Sequence, residues 1–274
     1  MNNTVKRILL FTLAVPGLGA MIWFLPWAGH AAVAAVVALV GVLGAVETRN
    51  LLGDAAPARW TAAFGALFPA AAWAAGLGLV PGSVETALVV ASLLWAFSAG
   101  VFADEESRKN GLRAVGARLV QAFYPGWFLA WIVRLAFLPE SRVVILVYML
   151  AVFLNDSGAW LFGVLFGRHR GIVPVSPNKS LEGFFGGVLA SVLVLAAAGW
   201  LFPGAFPLSW GVRVAFGLVA AFTTIAGDLV ESALKRAAGV KDSGSIILGR
   251  GGMLDSIDSL LFTAPVFVLF LGGS

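Results

Sequence analysis

The sequence predicts an all-α, polytopic integral membrane protein with about nine transmembrane helices. Two observations lead to this fold class. Of the 274 residues, 60% are hydrophobic and only 12% are charged, whereas about one quarter of an ordinary soluble domain is charged. The hydrophobic residues are also grouped in runs of roughly 17 to 25, the length that a membrane-spanning helix requires. A chain with so few polar residues cannot cover a water-soluble fold, so we expect its helices to face lipid.

The runs define the predicted helices in chain order. They are residues 7–27, 31–47, 59–80, 84–103, 118–138, 142–165, 183–202, 210–230 and 255–272. The first run follows Lys6 and Arg7, as the apolar core of a secretory signal would. However, it is too long for such a core, lacks a clean small-residue cleavage site and leads directly into the next run. We therefore expect an uncleaved span.

Basic residues predict which helix ends face the cytoplasm. The N-terminal segment and the connections after runs two, four, six and eight lie on one side of the membrane, and they hold all but three of the 18 Lys and Arg residues. The exceptions are Arg134, Arg142 and Arg213. Because cytoplasmic loops carry an excess of basic residues, this side is predicted to be cytoplasmic, with the C-terminus external after nine crossings.

The polar connections are too short to hold a soluble domain, so residues 1–274 are predicted to form a single integral membrane domain. Residues 1–140 carry few intramembrane charges, whereas residues 141–274 carry nearly all of the polar motifs, and we expect function to lie in the second part. In the first part, the charged segments at Glu47 and at 103–111 are interpreted as solvated turns, with a lid or a headgroup contact as the alternative for 103–111.

Several kinds of chemistry are excluded by composition. The chain has no Cys, which rules out disulfides and thiol catalysis. Its two histidines, His30 and His169, are too few for a multi-histidine zinc site. The candidate chemistry must therefore come from carboxylates, Lys, Arg and backbone amides.

The first two polar clusters lie in run six and before run seven. Asp156 lies about 14 residues into its run, roughly 21 Å along a helix, and an ionisable residue in a span indicates function. A structural contact between helices is the alternative. In "VSPNKSLEGFFGG", Ser176 and Pro177 predict a turn or helix start, which places Lys179 and Ser180 near a helix N-terminus, where amides and the dipole favour anions. A plain helix cap is the alternative.

The third cluster is "GDLVESALKR", residues 227–236. Asp228 is expected at a depth similar to that of Asp156, so we predict a functional role for it. Asp228, Glu231 and Lys235 have spacings of three and four residues and share a helix face. For Glu231 the alternative is a solvated exit of the helix from the membrane.

The fourth cluster is "LGRGGMLDSIDSL", residues 248–260. Arg250, Gly251 and Gly252 offer a guanidinium and exposed amides, which suit phosphate. Asp255 and Asp258 are three residues apart and share one helix face. The alternative is that each is simply an aspartate at a helix start, where the helix dipole favours a negative charge. Together with Asp228, however, the two carboxylates favour a Mg²⁺ site, because Mg²⁺ binds a few carboxylates together with substrate phosphates.

This set of residues favours phosphoryl or nucleotidyl transfer. In that chemistry metals and cations stabilise charge on the transferred group, and the protein does little covalent work. The predicted site faces the cytoplasm, where nucleoside triphosphates are found, and a lipid in the bilayer is the natural acceptor.

At these residues the chain resembles the phosphatidate cytidylyltransferase family, also called CDP-diacylglycerol synthases. The family signature is S-x-hydrophobic-K-R-x4-K-D-x-small, followed by H-G-G-hydrophobic-x-D-R-hydrophobic-D. The matching residues are Ser232, Lys235, Arg236, Lys241, Asp242, Gly244, Gly251, Gly252, Met253, Asp255, Ile257 and Asp258. The chain departs from the signature where Leu248 replaces Pro or Gly, Arg250 replaces His and Ser256 replaces Arg, and these changes bear mainly on the choice of acceptor lipid.

The resemblance implies that phosphatidic acid attacks CTP, giving CDP-diacylglycerol and pyrophosphate at a bacterial inner membrane. It implies a magnesium site at Asp228, Asp255 and Asp258, with Lys235 as a further catalytic residue. It implies that Lys179, Lys235, Arg236 and Lys241 bind phosphates, with Asp156 as a neighbour. The residue types and their positions add Ser180, Arg250, Gly251 and Gly252 as candidate substrate- and phosphate-binding residues. CTP, phosphatidic acid and membrane lipids are the expected partners, without nucleic acid, and a homodimer and a second cation such as K⁺ stay open. The alternatives are an enzyme that uses CTP on another lipid phosphate or a lipid alcohol, and an ion-coupled transporter.

Overall fold

The computed structural model describes residues 3–101, 111–247 and 251–272, with side chains from residue 12 onward. Arg250 and residues 103–110 of the charged loop lie outside the described residues. The helices are α1 (Asn3–Phe24), α2 (Trp27–Leu52), α3 (Ala58–Gly76), α4 (Ser83–Val101), α5 (Gly111–Gln121), α6 (Phe128–Arg134), α7 (Ser141–Leu165), α8 (Leu181–Leu201), α9 (Trp210–Ala237) and α10 (Leu254–Leu271). A π-helical turn, Ala122–Trp127, joins α5 to α6, and a 3₁₀ turn, Leu135–Phe137, follows α6.

The prediction of an all-α, polytopic membrane protein is confirmed. Each predicted run coincides with helix, and within the described residues only two isolated β-bridges occur outside the helices and turns. Within the part of the chain that the structure describes, seven helices are long and apolar enough to cross a membrane: Trp27–Leu52, Ser83–Val101, Gly111–Phe137, Ser141–Leu165, Leu181–Leu201, Trp210–Ala237 and Leu254–Leu271. The first predicted run coincides with α1, whose described side chains form the apolar stretch Thr12–Phe24, and the third coincides with α3, whose many alanines contribute little apolar surface each.

The described chain divides into two compact units, and the single domain of residues 1–274 stays a prediction. Unit one is Met1–Arg134 with Val240–Ser256, and unit two is Leu135–Gly239 with Ile257–Ser274. The first boundary lies close to the predicted change of character at residue 140. The return of 240–256 to unit one was not predicted.

In unit one, α2 and α3 pack closely because Gly41 and Gly65 face each other without side chains between them. A buried polar chain crosses the unit nearby. The Thr61 hydroxyl donates to Gln121 Oε1 at 2.9 Å, and Gln121 Nε2 donates to Asp54 Oδ2 at 2.8 Å. Thr61, Gln121 and Asp54 thus satisfy one another, as the burial of polar groups requires.

In unit two, small residues let α7 and α8 pack backbone to backbone. A Cβ at Gly158 would lie 2.8 Å from the carbonyl oxygen of Gly186. Helices α9 and α10 are joined by a buried hydrogen bond between the hydroxyls of Thr224 and Thr263 at 2.9 Å. This close packing holds the polar ends of α7, α8, α9 and α10 together, and it is there that the candidate site lies.

Candidate functional site

Unit two contains a polar cavity of about 390 Å³ where α7, α8 and α9 meet. Its polar lining residues are Asn155, Asp156, Arg170, Asn178, Lys179, Ser180 and Asp228. The structure therefore brings Asp156, Lys179, Ser180 and Asp228 together, as the sequence predicted. They come from two helices and one loop that are far apart in the chain.

Across this cavity, Lys179 and Asp228 form an ion pair between Nζ and Oδ2. Their side chains are 26% and 32% exposed, so both charges are accessible from the cavity. A partly solvated pair of this kind contributes little to stability. Either partner can therefore exchange the other for a substrate or a cation at small cost.

The loop that carries Lys179 is fixed at both ends by side chains. Ser180 is the N-cap of α8, and its buried hydroxyl accepts a hydrogen bond from the Gly183 amide at 3.1 Å. The Ser180 hydroxyl thus caps the helix, which is the role that the sequence analysis gave as the alternative to phosphate binding. Arg170, a cavity residue that sequence reasoning missed, donates to the carbonyl oxygens of Gly163 at 2.7 Å and Asn178 at 3.0 Å.

Asp258 on α10 is a second acidic residue that interacts with Asp228. Gly227 lets α9 pack against the backbone of α10 at Asp258, where any Cβ would collide with the Asp258 carbonyl group. Asp258 is half-buried, and its carboxylate interacts electrostatically with Asp228, Asp156 and Lys235. The two interactions with carboxylates are repulsive, and a cation bound beside them would relieve this repulsion.

Lys235 is held by an acid one helical turn earlier on α9. Its Nζ pairs with Glu231 Oε2, and the Glu231 side chain is fully buried. The alternative of a solvated helix exit is therefore wrong for Glu231. Arg236, by contrast, is exposed and donates to the carbonyl oxygen of Val175 at 3.4 Å.

In unit one, a second group of predicted residues surrounds Asp255. Asp255 Oδ2 accepts three hydrogen bonds at 2.8 Å, from the Gly252 amide, the Ser243 amide and the Ser243 hydroxyl. Gly251 has a φ of +118°, and a Cβ there would lie 2.7 Å from Asp255 Oδ2. Only glycine fits at this position. Lys241, predicted to bind phosphate, is exposed in the same unit.

Glu47, interpreted from sequence as part of a solvated turn, is buried with 4% exposure. Its carboxylate accepts hydrogen bonds from the amides of Met253 and Leu254, both at 2.9 Å, and from the Ser243 hydroxyl at 3.3 Å. The interpretation as a solvated turn is therefore wrong for this residue. One signal could have found it, because Glu47 ends an apolar run, and an ionisable residue in a span indicates a specific role.

Comparison with known proteins decides the family. A model of the cytidylyltransferase family matches residues 5–272. The chain belongs to the cytidylyltransferase family. It is 43% identical over 132 residues to a phosphatidate cytidylyltransferase of Staphylococcus epidermidis, covering 48% of this chain and 50% of that protein.

Two further relatives match over a similar share of the chain. A phosphatidate cytidylyltransferase of Staphylococcus aureus is 42% identical over 132 residues, which cover 48% of this chain and 50% of that protein. The uncharacterized protein YnbB of Escherichia coli is 37% identical over 165 residues, covering 56% and 53%. The chain thus spans about half the length of the curated relatives it matches. The family resemblance inferred from Ser232 to Asp258 is confirmed.

The positions of the Asp228, Asp255 and Asp258 carboxylates show how far the structure agrees with the predicted magnesium site. Within the residues that the structure describes, no group of three or more His, Cys, Asp or Glu could hold a metal ion. However, Mg²⁺ in such sites commonly takes only one or two carboxylates and completes its shell with phosphates and water. Asp228 and Asp258 fit that pattern, because their carboxylates repel each other and Gly227 packs against the backbone of Asp258. Asp255 as a third ligand stays a prediction.

Proposed function

We propose that this protein transfers the cytidylyl group of CTP to phosphatidic acid, giving CDP-diacylglycerol and pyrophosphate. The observation that carries the proposal is the polar cavity, in which accessible cationic and anionic side chains meet at Lys179 and Asp228. The family match supports nucleotidyl transfer. The names of the staphylococcal relatives support phosphatidic acid as the acceptor.

In this reaction a phosphate oxygen of phosphatidic acid attacks the α-phosphorus of CTP. A new P–O bond forms, the bond from the α-phosphorus to the bridging oxygen breaks, and pyrophosphate leaves with the bonding electrons. The negative charge on the leaving group is what the protein must stabilise. Lys179 and Lys235 supply fixed positive charge for this purpose.

The Lys179–Asp228 ion pair represents the resting site. An incoming phosphate gives Lys179 a new anionic partner, and this releases Asp228 from its pairing role. When bound, Mg²⁺ supplies charge neutralisation at the phosphates, and Asp228 and Asp258 would hold it. The buried Glu231 keeps Lys235 in place throughout, because its own charge has no access to solvent.

The cavity also suits an acceptor that stays in the bilayer. Its volume falls in the range of roughly 300–1,000 Å³ that is usual for small-molecule sites, so it can hold polar groups but not a whole lipid. Trp160 and Val164 line it and are themselves strongly exposed. Apolar side chains that are exposed on a membrane helix face lipid, so a phosphate headgroup can enter beside them while its acyl chains stay outside.

We further propose that the protein lies in the cytoplasmic membrane of a bacterium with this site facing the cytoplasm. The basic residues of the predicted cytoplasmic connections support this orientation, and the relatives named above are bacterial. Reporter fusions after residues 170 and 240 should report a cytoplasmic location. External reporters at both positions would reverse the topology.

The proposed activity is tested with purified protein in lipid–detergent micelles and CTP labelled at either the α- or the γ-phosphate. We expect label from the α position in the lipid product and label from the γ position in pyrophosphate. The acceptors are phosphatidic acid, other lipid phosphates and diacylglycerol, since Ser256 departs from the family signature at a position next to Asp255. Transfer of the γ label to diacylglycerol, or no lipid product with any acceptor, would overturn the proposal.

A further inference from the structure

We infer that Glu47 is a positioning residue that sets the direction of the Asp255 carboxylate and the start of α10. The inference rests on the proposed function and on the prediction that Asp255 is a third ligand of its metal. Glu47 lies near the end of α2, and its partners lie in the segment from Ser243 to Leu254. All of these residues belong to unit one.

The burial of Glu47 requires an explanation. A carboxylate in an apolar helix is costly unless several donors satisfy it. Three donors converge on this one: two backbone amides and one hydroxyl, from positions that are about 200 residues away in the chain, Met253 being 206 residues from Glu47. The contact is therefore specific to the tertiary structure and not a local feature of α2.

The two amides identify the role of the contact. The first amides of a helix have no partner within the helix, and here those of Met253 and Leu254 donate to Glu47. A negative charge at this end also interacts favourably with the helix dipole. Glu47 thus caps α10 from another helix and fixes the residue at which α10 begins. Asp255 is the next residue after these two, so its position follows from the same cap.

Glu47 accepts the amides at the start of α10 because the residues there provide no capping side chain of their own. In a capping box, an acid in the first turn accepts the amide of the N-cap residue, and the N-cap side chain returns a bond to the first turn. Asp255 accepts the amide of Gly252, two residues before the first residue of α10, in a similar way, but Gly252 has no side chain to return a bond. A Cβ at Gly252 would lie 2.6 Å from Glu47 Oε2. The glycine therefore makes room for the carboxylate that replaces its missing cap.

Ser243 connects the two acids. Its hydroxyl lies 2.8 Å from Asp255 Oδ2 and 3.3 Å from Glu47 Oε2. A hydroxyl has a single proton, so the two acids share it in a three-centre bond, with Asp255 as the nearer acceptor. Displacement of Glu47 would move the amides of Met253 and Leu254 together with Ser243. The orientation of Asp255 depends on both.

The test compares Glu47→Gln with Thr48→Val in the full chain. Thr48 is fully buried beside Glu47, but its hydroxyl bonds within its own helix, to the Gly44 carbonyl oxygen at 2.7 Å, so it is a matched control. In Glu47→Gln the side-chain NH₂ group takes the place of one carboxylate oxygen and faces the Met253 or Leu254 amide, so that one hydrogen bond is lost. We expect the exchange of the Gly252–Leu254 amides to accelerate by roughly tenfold or more. We also expect the Mg²⁺ concentration for half-maximal CTP turnover to rise by roughly 10- to 100-fold. Thr48→Val should change neither quantity.

The outcomes separate the inference from the proposed function. If wild-type protein makes no cytidylylated lipid, the proposed function fails, while amide exchange still decides whether Glu47 caps α10. If wild-type protein is active and Glu47→Gln keeps its amide exchange and its Mg²⁺ requirement, the inference is overturned. Should Glu47→Gln not fold, Glu47→Asp is measured in the same way, because it keeps the charge but is one methylene too short to reach both amides. Unchanged amide exchange and Mg²⁺ requirement in that variant would overturn the inference as well.

Discussion

Replacement of Lys179 by Met should separate substrate binding from stability. The change removes a charge while keeping a flexible apolar stem of similar length. A hydrogen bond to a charged group contributes about 1.5–3 kcal/mol, and each 1.4 kcal/mol corresponds to about tenfold in rate. If Lys179 binds a substrate phosphate, kcat/KM for CTP should therefore fall by roughly 10- to 150-fold.

Stability should respond much less. Lys179 and Asp228 are both accessible, with side-chain exposures of 26% and 32%, so water can solvate the carboxylate that the substitution leaves behind. Exposed ion pairs contribute about 0–1 kcal/mol, and we expect the midpoint of thermal unfolding to move by only a few degrees.

The assay measures transfer of α-labelled CTP to phosphatidic acid, together with thermal unfolding in the same detergent. Arg168→Ala is the matched control, because Arg168 is an exposed basic residue of the same connection but does not line the cavity. It should retain wild-type kcat/KM. A Lys179→Met protein that is folded and has full kcat/KM would refute the assignment of the cavity as the phosphate site.

Three further predictions concern residues of α9 and α10. Asp258→Asn should abolish CTP turnover yet raise the unfolding midpoint in Mg²⁺-free buffer, because it removes carboxylate repulsion; a lower midpoint would contradict this reasoning. Gly227→Ala should destabilise the protein by about 1–3 kcal/mol through overpacking, as measured by thermal unfolding, whereas Gly116→Ala, with open space around its Cβ, should not. Glu231→Gln should cost about 3–5 kcal/mol by leaving Lys235 without its buried counter-charge, and a wild-type unfolding midpoint would argue against a tight pair.

The helices were predictable because the bilayer imposes one length on every apolar segment. Run 142–165 and α7 coincide almost residue for residue, since a helix satisfies its backbone hydrogen bonds within one segment of the chain, as lipid requires. The π-helical turn Ala122–Trp127 was not predicted. It contains Pro125, which lacks an amide proton and disturbs the helical pattern, but the sequence does not show how the neighbouring turns adjust.

The candidate site was partly predictable for a similar reason. Asp156 and Asp228 were found because an acid in an apolar span is costly and must serve a purpose. Arg170 was missed because its guanidinium holds backbone carbonyl groups. Such partners exist at every residue, so nothing in the sequence marks them.

Glu47 is a second residue whose role could not be predicted, because its partners are backbone groups. Its charge was visible in the sequence, but its function depends on two backbone amides that have no identity of their own, and on a glycine whose significance is the side chain it lacks. Gly252 looked like a phosphate-binding residue because exposed glycine amides suit anions, and its amide does bind an anionic group, the carboxylate of Asp255. The same local pattern therefore fits a substrate phosphate or a protein carboxylate, and only the tertiary structure shows that a carboxylate already occupies this amide. If the Gly252 amide exchanges as fast as an amide without a hydrogen bond, the glycine pair returns to being a candidate phosphate loop.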